Sequence, residues 1–133
     1  MKLVVNVDGG SRGNPGPAAV GVVVRTPDGE VVAEAAETIG AATNNVAEYR
    51  ALLRGVELAR EHGADEAEIY GDSELVVKQV RGDYKVKDAG LKPLHAAARA
   101  ALAGLESWSF EHVRREHNAH ADELVNQALD SAY

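Results

Sequence analysis

Lys2-Leu3-Val4-Val5-Asn6-Val7-Asp8-Gly9-Gly10-Ser11 opens the chain, and the reading of its first seven residues decides the fold. Leu3, Val5 and Val7 fall on one face and Val4, Asn6 and Asp8 on the other, the period-two alternation of a strand. A strand over Lys2 to Asp8 is predicted, with a carboxylate at its carboxyl end. Gly9 to Pro17 is turn chemistry throughout. Ala18 to Arg25, rich in valine, reads as a second strand, and Pro27-Asp28-Gly29 turns the chain into a third over Glu30 to Thr38, paired antiparallel to the second.

Beyond this meander the period changes. From Asn45 to Glu61, Tyr49, Leu52, Leu53, Val56 and Ala59 form a helical apolar stripe, stopped by His62-Gly63. Ala67 to Gly71 reads as a short strand, Ser73 to Val80 as a short helix, and the alanine-rich Leu91 to Leu102 as another. Trp108 to Arg114 reads as the last strand and Ala121 to Ala132 as the closing helix. The order βββαβααβα places strands four and five after helices, which favours parallel crossovers. The expected α/β architecture is a mixed five-stranded sheet, a three-strand antiparallel meander plus two parallel strands, flanked by helices. Sites in such sheets collect at the carboxyl ends of central strands, where Asp8 and Asp72 both fall.

A length of 133 residues fits a single domain, residues 1 to 133. An apolar fraction of 45% with 26% charged residues excludes disordered and fibrous classes. No membrane span or signal-sequence core is visible, and with zero cysteines a cytoplasmic location is expected. The net charge of −7 argues against binding nucleic acid by bulk attraction. Distribution matters more: Lys78, Arg81, Lys85, Lys87 and Lys92 surround Tyr84, directly after the acidic Glu57, Glu61, Asp65, Glu66 and Glu68. A solvated mixed surface and a phosphate-binding segment both account for that basic stretch.

Four acids stand at element ends. Asp8 could simply begin an Asp-Gly turn. Glu48 could complete a capping box if Asn45 is the N-cap, an explanation that disappears if the cap is Thr43. Asp72 could cap the helix after it, and Asp122 could be a first-turn acid favoured by the helix dipole. Glu48 also aligns with Leu52, Gly55 and Ala59 at the edge of the apolar stripe, where a charge needs a partner. Taken together, four acids on one rim repel one another, and a divalent cation is the usual remedy. Oxygen-only ligands suit Mg²⁺ or Mn²⁺ better than Zn²⁺. A pair of such ions about 3.5 to 4 Å apart serves phosphodiester cleavage by in-line displacement. Ser11 and Ser73 have no sequence partner marking a base, and Gly9 to Gly16 lacks the lysine and spacing of a Walker loop.

Asp8-Gly9-Gly10-Ser11, Gly13-Asn14-Pro15-Gly16, Thr43-Asn44-Asn45, Tyr70-Gly71-Asp72-Ser73-Glu74 and His117-Asn118-Ala119-His120-Ala121-Asp122, in this order and spacing, resemble type 1 ribonuclease H over nearly the whole chain. The resemblance implies a ribonuclease H-like fold. It also implies a metal-dependent endoribonuclease that cuts the RNA strand of RNA–DNA hybrids, leaving 5′-phosphate and 3′-hydroxyl ends. Asp8, Glu48, Asp72 and Asp122 would hold two Mg²⁺ ions, with Mn²⁺ as a substitute. Gly10, Ser11, Asn14, Asn44, Asn45 and Glu74 would line the minor groove of the hybrid, some reading 2′-hydroxyls, and Thr43 and Ser73 would join them in binding substrate. No protein partner and no membrane are implied, and a monomer is expected.

The chain departs from parts of that pattern. Where some relatives insert a basic helical protrusion, it has only Arg81 to Lys92, which implies weaker hybrid binding. Its segment Arg114 to Ala121 is the compact form of a loop that in some bacterial relatives carries a proton-transfer histidine. Arg115 is the first choice for that place, ahead of His117 and His120. Glu74 stands where many relatives have glutamine. Two competing readings are a non-catalytic binding module on the same fold and a nuclease for another substrate such as branched DNA. A pure binder gains nothing from negative charge facing phosphate, and the Asn-rich and Gly-rich positions favour RNA discrimination.

Overall fold

The strand over the first residues, β1 (Lys2–Ser11), is the middle of a five-stranded sheet in the computed structural model, which describes residues 1–132. β2 (Gly16–Arg25) and β3 (Val31–Ala42) follow it antiparallel, while β4 (Glu66–Gly71) and β5 (Ser107–His112) add on its other side in parallel, giving the order β3-β2-β1-β4-β5. The helices are α1 (Asn44–Glu61), α2 (Glu74–Arg81), α3 (Lys92–Ala103) and α4 (Ala119–Ala132), with a 3₁₀ turn over Arg115–Asn118 leading into α4. The order and the mixed sheet are those expected from the sequence. Among the described residues no helix is long and apolar enough to cross a membrane.

The meander is longer than its local sequence suggests. Gly9, Gly10 and Ser11 are not a turn: they stay in register with Val20, Ala19 and Ala18 of β2. The turn shrinks to the residues between β1 and β2 and is closed by Arg12 N–H donating to the Pro17 carbonyl at 2.8 Å. Pairing with β2 outweighs the weak strand propensity of glycine. In the same way β3 runs on through Ala42 to the threshold of α1.

Both faces of β2 are covered, which is why its valines run without alternation. Val20, Val22 and Val24 join Leu3, Val5, Val7, Tyr49, Leu52 and Val56 in the main core. On the other face Ala19 packs with Val125, Ala128 and Leu129, and Val23 with Ala121 and Leu124. Each buried valine or leucine contributes roughly 1.5–3 kcal/mol relative to exposure.

Two glycines set how closely the helices approach. A Cβ on Gly9 would lie 2.2 Å from the carbonyl carbon and oxygen of Ala47, so α1 rests on bare β1 backbone. A Cβ on Gly21, the β2 partner of Asp8, would lie 2.2 Å from the Ala121 carbonyl oxygen, so α4 rests on β2. The contacts are on opposite faces of the sheet and bring both helices to the same end of it.

A polar clasp locks the start of α4. Val7 is the last β1 residue in register with β4, and its carbonyl accepts from the buried Asn118 side-chain amide at 2.9 Å. Asn118 Oδ1 accepts from Asn6 Nδ2 at 3.0 Å, and Asn6 Oδ1 accepts from Arg25 at 3.1 Å. Asn118→Ala leaves a buried carbonyl and an amide unpaired and is expected to cost about 1–3 kcal/mol of stability. Gly21→Ala drives a Cβ into α4 backbone and is expected to cost about 3 kcal/mol. Urea unfolding measures both, and an unchanged midpoint in either would contradict the contact assigned to it.

Candidate active site

Asp8 is buried on β1 at the end of the sheet reached by both helices. Because Val7 and Gly71 are in register across the β1–β4 pair, Asp72 leaves β4 beside Asp8. Thr43 caps α1, its hydroxyl accepting from Val46 N–H at 3.2 Å. The capping box built on Asn45 is therefore absent, and Glu48 lies in the second turn of α1, buried at the edge of the apolar stripe. Its Oε1 accepts from Gly9 N–H at 3.0 Å, a bond that only the close approach at Gly9 allows. Ser73, not Asp72, caps α2. Asp122 does stand in the first turn of α4, as the dipole reading allows.

One oxygen from each of Asp8, Glu48 and Asp72 lies within 4.8 Å of the others. Burial, then the charges of Glu48 and Asp72, then hydrogen bonding with Glu48 and Asp122 push the Asp8 carboxyl far above the carboxylate range. Burial also raises Glu48, an effect opposed by the Gly9 N–H, reinforced by Asp72 and moderated by Asp8 and the Arg115 charge. Without a cation the pair is driven to share a proton. The donor set is all oxygen and is held together against mutual repulsion, which fits hard divalent ions of the Mg²⁺ and Mn²⁺ type. Asp122 flanks the three, 3.8 Å from Arg115.

These acids floor a cleft of about 400 Å³. Gly10, Ser11, Asn44, Asn45, Ser73 and Arg115 also line it. Asn44 Oδ1 accepts from Ser11 N–H at 2.9 Å, and Asn14 Oδ1 accepts from Asn44 N–H at 3.1 Å. With their oxygens committed to backbone donors, both side chains present NH₂ groups. Asn14 and Thr43 border a neighbouring hollow with Asn45 and Asp88, outside the acid cleft. Glu74 is exposed, paired with Lys78 at 3.1 Å, and does not line the cleft. Of the imidazoles, His117 is exposed, and His120 faces away, 2.9 Å from Arg25 and 3.4 Å from Glu34.

Arg12 and Asn126, which no motif in the sequence singles out, also line the cleft. Asn126 is one helical turn beyond Asp122, a spacing that could have signalled it. Arg12 lay inside a segment read as turn. The basic stretch after α2 lines a separate groove of about 540 Å³ with Tyr84, Lys85, Lys92, His95 and Arg99.

The sequence matches the protein family described as Reverse transcriptase-like over residues 6–128. It is 51% identical to a ribonuclease HI of Halobacterium salinarum, covering 94% of this chain and 63% of that one. It is 49% identical to a bifunctional protein of Mycobacterium tuberculosis, covering 99% of this chain and 36% of that one. The chain thus spans less than two thirds of the length of these relatives. In structure it is similar to the RNase H1 of Halobacterium salinarum, with a TM-score of 0.96, 48% identity, and coverage of 98% of this chain and 99% of that one. It is also similar to LC11-RNase H1 in complex with an RNA/DNA hybrid, with a TM-score of 0.93, 44% identity and 98% coverage of each chain. Sheet order, converging acids and sequence identity over nearly its whole length agree, and the chain belongs to the ribonuclease HI family.

Proposed function

We propose that residues 1–133 act as one ribonuclease H domain, a metal-dependent endoribonuclease that hydrolyses the RNA strand of RNA–DNA hybrids. The observation that carries this reading is the convergence of Asp8, Glu48 and Asp72 within 4.8 Å, flanked by Asp122, in a cleft edged by amide donors. A similar protein, LC11-RNase H1, is known in complex with a hybrid. Cytoplasmic residence belongs to the same proposal and is supported by the lack of cysteine.

In this reading Asp8, Glu48, Asp72 and Asp122 would hold two Mg²⁺ ions, or Mn²⁺ in their place. Such a pair would supply Lewis-acid polarisation of the phosphodiester and acidify the attacking water at neutral pH; in-line attack that breaks the P–O3′ bond leaves 5′-phosphate and 3′-hydroxyl ends. The chain's own part is positional. Glu48 is oriented by the Gly9 N–H, Asp8 by its strand, and Asp72 by the end of β4. Arg115 brings a positive charge to the rim of the acids, where it offsets negative charge on the substrate. Gly10, Ser11, Asn44 and Asn45 meet the RNA strand, the amide NH₂ groups donating to 2′-hydroxyl oxygens that DNA lacks. Asn14, Thr43, Ser73 and Glu74 complete the binding surface around them. The groove with Lys85 and Lys92 takes phosphates farther along the hybrid.

Incubation with end-labelled hybrid, single-stranded RNA, duplex RNA, duplex DNA and DNA junctions, in Mg²⁺, Mn²⁺ or EDTA, tests the reading. Cleavage is expected only in the RNA of the hybrid, lost in EDTA and reduced at least about a thousandfold in Asp8→Asn or Asp72→Asn. Hybrid binding with no cleavage under either metal would instead identify a binding module, and cutting of junctions another nuclease.

A second outcome does not depend on turnover. A carboxyl with a raised folded pKa keeps its proton longer in the folded than in the unfolded chain. In EDTA, stability should therefore fall as pH rises above the ordinary carboxylate range. Asp8→Asn removes the largest contributor, so its melting temperature in EDTA at neutral pH should exceed the wild type's by a few degrees, on the order of 1 kcal/mol. Mg²⁺ should raise the wild type and leave the variant nearly unmoved. Scanning calorimetry reads this, and a variant melting below wild type in EDTA would refute strained clustering at Asp8.

A further inference from the structure

The acid cleft holds two guanidinium groups, and α4 carries a carboxylate for each. Arg115 faces Asp122, and Arg12, in the turn between β1 and β2, is bonded to Asp130. Asp122 and Asp130 are eight residues apart on α4, about 12 Å along its axis. Asn126 stands midway, one turn from either, and lines the same cleft as Arg12. The cleft thus runs along α4 from the acids to an anchored cation, with an amide between.

Arg12 has little structural reason to be there. Its side chain is 45% exposed and that of Asp130 69%, and an ion pair so open to water adds little to folding. The turn is already closed by the Arg12 N–H bond to Pro17 and by the Asn44 side chain. A chain of net charge −7 that brings a polyanion to clustered carboxylates needs fixed cations on both sides of the cut. Arg115 sits at one end of α4, and Arg12 is the cation at the other.

We propose that Arg12, with Asn126 beside it, forms a subsite for a backbone phosphate of the RNA strand, a few nucleotides from the scissile bond. The RNA strand is assigned because Arg12 lines the cleft that holds the acids, not the groove of Lys85 and Lys92. Asp130 keeps the guanidinium extended in the free protein and yields it to the phosphate, which can take two parallel N–H bonds. The inference rests on hybrid cleavage being the function.

Equilibrium binding of a fluorescent hybrid in EDTA, over a series of KCl concentrations, compares wild type with Arg12→Ala, Arg12→Lys and Asp130→Asn. Arg12→Ala is expected to weaken binding roughly five- to tenfold and to lower the slope of log affinity against log salt by about 0.7–0.9. Arg12→Lys should keep the slope, and Asp130→Asn should match or exceed the wild-type affinity. Single 2′-deoxy methylphosphonate linkages, each with its 2′-deoxy phosphate control, then scan both strands. One neutral linkage in the RNA strand should erase the difference between wild type and Arg12→Ala. Equal losses in Arg12→Ala and Asp130→Asn with unchanged slope would make the pair a turn anchor and overturn the subsite. Erasure only by a DNA-strand linkage would overturn the strand assignment. Cleavage by wild type, read in parallel with Mg²⁺, separates failure of the subsite from failure of the functional reading.

Discussion

Mutual repulsion among clustered carboxylates, two of them buried, is the constraint on which the rest of this structure depends. Asp8, Glu48 and Asp72 are brought within 4.8 Å by three different elements, and nothing in their own chemistry favours that proximity. The packing enforces it. The pairing of the adjacent parallel strands β1 and β4 ends at Val7 and Gly71, and α1 is pressed onto β1 at Gly9 while α4 is pressed onto β2 at Gly21. The valine-rich core on both faces of β2 supplies the free energy that holds this geometry against repulsion. The backbone bond from Gly9 to Glu48 and the Asn118 clasp below Asp8 aim the groups without neutralising them. Stability is given up where a divalent cation would restore it, the pattern expected of a preorganised site.

Under the proposed function, the same constraint shapes how an acidic protein would meet a polyanion. Long-range attraction is not available at a net charge of −7, so contact must come from cations at short range. The structure keeps them poised in pairs: Arg12 with Asp130, Arg115 with Asp122, Lys78 with Glu74. The Arg12–Asp130 and Lys78–Glu74 pairs are exposed and weakly held, so exchanging a carboxylate partner for a phosphate costs little. Neutral amides and bare backbone at Gly10, Ser11, Asn44 and Asn45 line the same cleft, where a further cation would compete for the carboxylates.

Much of this was legible in the chain because period and turn chemistry are local. The alternation over Leu3, Val5 and Val7, the helical stripe from Tyr49 to Ala59 and the place of Asp72 just past a strand end all predict what is observed, whereas Asp8 lies three residues inside the end of β1. What was not legible depends on contacts between distant residues. Gly9-Gly10-Ser11 has the composition of a turn and is a strand only because β2 pairs with it. The choice between Thr43 and Asn45 as cap decides whether Glu48 has an ordinary role, and both are good capping residues. Arg12, Asn118 and Asn126 matter only once α4 lies across β2, a placement that the sequence records as a single glycine, Gly21.

The compact segment before α4 narrows the chemistry further. His120 is committed to Arg25 and Glu34, and His117 points to solvent, so no imidazole lines the cleft of the described residues. Arg115 does line it, but a guanidinium stays protonated throughout the working pH range and cannot pass a proton on. Under the proposed function its contribution is charge: it lowers the cost of bringing a phosphodiester beside Glu48, whose own carboxyl already senses that charge. In that reading proton transfer to the departing oxygen is left to solvent, to which the Arg115 side chain at the rim of the cleft is 80% exposed. A site arranged in this way separates two tasks: the protein supplies charge and geometry, and water supplies the proton.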